Sequence, residues 1–123
     1  MINQIDFNKS KDGSSWWVSD TILGFEIIIP GNPGEQNPDE KYIAISNQIL
    51  PKIDSIIKEI KAQYLNTILK VGKIGICGIE ILSKNDRHGA DVILSLDHDG
   101  DGYIWLECGI KESKPQYILL KWH

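Results

Sequence analysis

The densest run of chemistry-bearing residues in the chain is Asp97-His98-Asp99-Gly100-Asp101-Gly102-Tyr103-Ile104. Hard cations want several oxygens at close range, and alternate carboxylates bent by glycine provide them. Acids at positions one, three and five, glycine at six and an aliphatic residue at eight match the first eight positions of a calcium loop of the EF-hand type. The candidate metal ligands are therefore Asp97, Asp99, Asp101 and Tyr103, and the candidate ion is Ca²⁺. The match fails at position twelve, where a bidentate Glu belongs and Cys108 stands; Glu107 falls one short. The flanking residues read as strands, not helices, which excludes a true EF-hand. Two readings stay open: a plain acidic hairpin loop, in which Asp-Gly is favoured for backbone reasons alone, and a calcium-binding or calcium-stabilised loop. Calorimetric titration with Ca²⁺ separates them.

Other reactive side chains do not converge in the sequence. His88, His98 and His123 are spread over two turns and the terminus, and no His-x-x-His, paired Cys or His-Glu spacing points to zinc. Asp91 near His88 and Asp97 beside His98 read as surface contacts. There is no Gly-x-Ser-x-Gly, and Gly31–Gly34 (GNPG) lacks the basic residue of a phosphate cradle. No catalytic residue is assigned, and the expectation is a chain that is not an enzyme. What remains is surface. Tyr103, Trp105 and Glu107 alternate with an aliphatic row and so share the opposite strand face, beside the acidic loop. Exposed, they form a partner-binding patch, since aromatics dominate interface anchors; the alternative is that they pack under the N-terminal segment.

These residues must be positioned by strands around one helical stretch, Pro38 to Leu69. Ile45, Ile49, Ile53, Ile56, Ile57, Ile60, Tyr64 and Ile68 recur at steps of three and four, the stripe of an amphipathic helix. Asn37 is placed to cap it, Pro38 suits the first helical position, and Gly72 ends the pattern. Pro51 predicts a kink or a split into two helices, roughly 38–49 and 51–70. Ahead of it, Ile2, Ile5 and Phe7 suggest a first edge strand. Trp16-Trp17-Val18 begins a strand with one Trp inward and one outward, and Ile22–Ile29 forms its hairpin partner with Leu23, Phe25, Ile27 and Ile29 inward. After the helix, Lys73–Leu82 changes phase at Cys77-Gly78, the mark of a β-bulge. Val92, Leu94 and Leu96 face inward, as do Ile104, Leu106, Cys108 and Ile110; pairing Leu96 with Ile104 and Leu94 with Leu106 brings the rows together around a loop centred on Gly100. Ile118, Leu120 and Trp122 supply a last inner row. The expected fold is one α+β domain over residues 1–123: a mostly antiparallel sheet of six or seven strands with one long, Pro-kinked or split helix on one face, in the order β-β-β-α-β-β-β-β.

Composition narrows the partners. The net charge is −4 at pH 7, and no basic stripe appears, which argues against nucleic acid. No apolar run approaches the ~20 residues needed to span a bilayer, and the N-terminal residues lack the order of a signal peptide. The expected location is the cytoplasm, with Cys77 and Cys108 as reduced, buried fillers and a disulfide as the alternative.

The stretch Ser15–Leu69 resembles a group of small bacterial domains of unknown function found among toxin-immunity proteins. The likeness rests on a Trp strand, a hydrophobic strand, an Asn37-Pro38-Asp39-Glu40 helix start and a helix ending in Gln63-Tyr64-Leu65. Leu94–Trp105 and a final aromatic strand near Trp122 extend it over most of the chain. The resemblance implies a cytosolic role in which the protein binds and blocks a protein partner, such as a toxin; it brings no catalytic residues with it.

Overall fold

A computed structural model describes residues 2–64, 73–100 and 102–122. Seven strands form one sheet in strictly sequential order: β1 (Asn8–Lys9), β2 (Ser15–Val18), β3 (Glu26–Pro30), β4 (Ile74–Ile81), β5 (Val92–His98), β6 (Ile104–Lys111) and β7 (Lys114–Trp122). All neighbours are antiparallel except β3 and β4, which run parallel because the long helix lies between them in the chain. The architecture is the expected α+β fold, with the expected order of elements.

The helical stretch packs across one face of this sheet, touching β3, β4 and β7. It consists of α2 (Glu40–Ile49), a 3-10 turn at Leu50–Lys52, and α3 (Ile53–Tyr64); a short α1 (Asp20–Leu23) precedes β3. Pro51 thus neither breaks the path nor sits in a regular α-helix. The chain tightens for one turn around the residue that has no N–H to give, then resumes. The cap is Asp39, not Asn37: its carboxylate accepts the Lys41 N–H at 2.9 Å, and the helix begins one residue beyond it. Ile43, Ile49, Ile53, Ile56 and Ile60 are buried, with Ile45, Ile57 and Tyr64 packed at their margin. Ser46 is buried among them because its hydroxyl donates to the Tyr42 carbonyl at 3.0 Å, leaving no polar group unpaired. Ile68, Leu69, Gly72 and Asp101 lie outside the described residues, as does the Trp122 side chain. No helix among the described residues is long and apolar enough to cross a membrane.

Beneath the helix the inner row of each central strand is apolar and sealed: Ile27 and Ile29, Ile79 and Ile81, Val92, Leu94 and Leu96, Leu106, Cys108 and Ile110. At roughly 1.5–3 kcal/mol per buried aliphatic side chain, this layer dominates the stabilisation. Trp16 is inward and Trp17 outward, as alternation requires. The Trp16 indole N–H donates to Glu35 at 2.8 Å, and a Cβ on Gly31 would lie 2.8 Å from the same ring, so only glycine fits there.

Four local expectations are corrected. Ile2, Ile5 and Phe7 do not make an edge strand; Gln4–Asp6 is a 3-10 turn that buries Ile2 and Phe7 and leaves Ile5 exposed, while Asn47 holds the Ile2 backbone from both sides. Ile22 and Leu23 belong to α1 instead of opening a strand, because Ser19 caps that helix and Gly24, at φ +83°, ends it. β5 and β6 pair Leu96 with Leu106 and Leu94 with Cys108, two residues from the expected register. A shift of two keeps every side chain on its face, so alternation alone cannot detect it. Leu120, opposite Leu106 on the outermost strand, has a neighbouring strand on one side only and stays 43% exposed.

Candidate functional site

The loop at 98–104 is organised by His98. Its Nδ1 accepts the Gly100 N–H at 3.1 Å, so the proton sits on Nε2, which donates to the Ile104 carbonyl at 2.7 Å. One imidazole thereby bridges both sides of the loop. Asp99 accepts the Lys73 N–H at 3.1 Å and ties the loop to the start of β4. Asp97 lies at the end of β5 on the sheet face away from the helix, opposite Gly75. Tyr103 projects from the turn and is 73% exposed. Among the described residues no three His, Cys, Asp or Glu side chains gather into a metal-binding group; Asp101, one of the four candidate ligands, is not among those residues.

The uncovered face of the sheet carries a groove. Register fixes its layout. Glu26 of β3 lies beside Gly78 of β4, Gly78 beside Ser95 of β5, Ser95 beside Glu107 of β6, and Glu107 beside Leu119 of β7. One row towards one end stand Ile28, Glu80 and Ile93; towards the other stand Asp97 and Trp105. Glycine and serine in the middle of the central row leave a hollow between larger side chains. The result is a groove of about 620 Å³ whose lining includes four carboxylates, Glu26, Glu80, Asp97 and Glu107, and no Lys or Arg among the described residues. Its apolar lining includes Ile28, Ile93 and Trp105, the last 42% exposed. At its margin Lys121, paired across from Trp105, places its ammonium 3.0 Å from Glu107.

Cys77 is the bulge residue between Ile76 and Gly78 and is exposed in this groove, contrary to the buried role expected of it. The extra residue of a bulge has no partner across the ladder and turns outward. Partial burial, followed by the nearby Asp97 charge, raises its thiol pKa. Cys108, on the inner row, is the buried filler expected, with burial pushing its thiol up to about 12. Both are free thiols.

Of the three residues expected to form a partner patch, Trp105 and Glu107 meet in the groove, whereas Tyr103 lies outside its lining. The aromatics do not pack under the N-terminal segment, which occupies the other end of the sheet. Glu26, Glu80, Ile28 and Ile93 escaped sequence reasoning. Each alternates with a buried residue, so its outward direction was readable, but the strand order that unites the four was not.

The fold and groove define a two-layer α+β domain, one sheet face sealed by a helix and the other open, acidic and partly aromatic. No protein-family model, curated protein or solved structure matches the chain.

Proposed function

We propose that this chain is a cytosolic, non-enzymatic protein-binding domain whose open sheet face receives a basic partner protein, in an immunity-like role where binding blocks that partner. The single observation that supports this reading is the groove itself, four carboxylates set among Ile28, Ile93 and Trp105. Apolar surface supplies affinity and a desolvated aromatic supplies an anchor. The acids select a cationic partner, speed encounter and repel polyanions such as nucleic acid. The chain's net charge of −4 reinforces the same preference.

The test is affinity capture from the native lysate with the wild type and the Trp105→Ala/Asp97→Lys variant side by side. A basic protein, identified by mass, held by the wild type and lost by the variant is the expected outcome. A partner retained equally by both places the interface elsewhere and overturns the reading.

A further inference from the structure

Gly78 stands in the interior of a strand, where glycine is unfavourable unless backbone, packing or a visitor requires it. Neither of the first two does. Its φ is outside the left-handed region, and a Cβ built on it would meet nothing closer than 3.8 Å, from the Glu26 carbonyl oxygen and the Ser95 Cβ. The bulge itself is taken by Cys77. What glycine contributes is emptiness. Beside it Ser95 is half-buried and short, so the central row has a gap between Glu26 and Glu107, three strand spacings or about 14 Å apart at the backbone. Trp105 and Asp97 stand along one side of this gap.

We infer that the gap over Gly78 and Ser95 receives a lysine or arginine side chain of the partner, its aliphatic stem laid across the glycine and its charge met by the surrounding carboxylates. The inference rests on the basic-partner reading above and names the contact that anchors it. The chain already pairs a lysine with one of these acids: Lys121 of β7 places its ammonium 3.0 Å from Glu107 at the groove's margin. A long cationic side chain satisfies both halves of the lining, because its stem buries against apolar atoms while its head stays with charge. The Trp105 indole adds the attraction of an aromatic ring for a cation.

Fluorescein-labelled octa-arginine is the probe, followed by anisotropy at low salt, where exposed charge pairs are least screened. Gly78→Leu fills the gap and removes no charge; Glu26→Gln/Asp97→Asn removes charge and fills nothing. Circular dichroism and the urea midpoint confirm that each variant folds, and Ser95→Leu blocks the gap from the next strand should Gly78→Leu fold poorly. The expected result is roughly tenfold weaker binding, about 1.4 kcal/mol, for the blocked variants and a comparable loss for the neutralised one. Blocked variants that bind like the wild type while the neutralised variant binds less overturn the gap and leave the acidic face standing. A wild type that does not bind octa-arginine at low salt, or a neutralised variant that binds it equally well, overturns both.

Discussion

The two faces of the sheet come from the same strands and obey opposite rules. On β5, Val92, Leu94 and Leu96 point under the helix and are sealed, while Ile93, Ser95 and Asp97 point the other way and stay accessible. The covered side is almost wholly aliphatic; the open side mixes carboxylates, tryptophan, glycine and serine at equivalent positions. Register keeps the four acids of the open face from standing directly opposite one another: Glu26 faces Gly78, Glu80 faces Ile28 and Ile93, Asp97 faces Gly75, and Glu107 faces Ser95. The covered side holds the fold together, and the open side is where charge and aromatic surface remain accessible. Among the described residues, only Glu107 of the four groove acids is given an ion pair, to Lys121.

The sharpest way to break that contrast is to truncate adjacent residues of one strand. Leu94→Ala leaves a cavity beneath the helix and is expected to cost about 2–5 kcal/mol in urea unfolding. Ile93→Ala, one residue earlier and facing the groove, is expected to cost under about 1 kcal/mol, because solvent already reaches that side chain. Equal costs would mean that the open face is covered in solution.

The contrast also explains how far the sequence could be read. Alternation is a local property, so the inward rows of β5 and β6, the inward member of the Trp16-Trp17 pair and the bulge at Cys77 were legible from spacing. Pairing is not local. The register of β5 against β6 differs by two from the expected one because both registers bury the same residues; β5 ends at His98 and β6 begins at Ile104. The groove needed more still: Glu26 and Gly78 are brought side by side only by the parallel β3–β4 pairing that the helix creates. Tyr103 fell away from Trp105 for a simpler reason, since the strand begins at Ile104 and alternation ends with it. The cap moved from Asn37 to Asp39, a choice between two competent capping residues that propensity does not decide.

A second prediction concerns the far end of the open face, where Tyr117 of β7 covers Gly109 and its hydroxyl donates to Asp86. The Asp86 carboxylate also accepts the His88 and Ala90 N–H groups, each at 2.9 Å, and so closes the β4–β5 connection. The Tyr117 hydrogen bond is the main reason that the Asp86 pKa is lowered; burial, then Asp86, raises that of Tyr117. A lowered acid stabilises the fold fully above its unfolded value, near pH 4, and the contribution is lost as pH falls through the folded value. A raised phenol contributes fully below its unfolded value, near pH 10, and the contribution declines above it. Tyr117→Phe is expected to cost about 1–2 kcal/mol at neutral pH. Urea midpoints across pH should show the deficit shrinking at both extremes, and a deficit independent of pH would assign the loss to packing instead.

The smallest expected effect gives the comparison its control. Glu112 and Ser113 connect β6 to β7 with φ of +52° and +64°, the two-residue turn in which both central residues are left-handed. Neither residue is a preferred occupant: that turn favours Asn followed by Gly, which reach positive φ at lower cost. Glu112→Asn/Ser113→Gly is therefore expected to stabilise the domain by about 1 kcal/mol, a few degrees in Tm. The turn's hydrogen bond to the helical layer, from the Lys52 ammonium to the Ser113 hydroxyl at 3.2 Å, is exposed and worth little. Neither turn residue lines the groove, so octa-arginine affinity should stay unchanged while the melting point rises. If affinity rises with it, binding depends on the stability of the whole sheet and not on what its open face displays, and the division of labour between the faces fails.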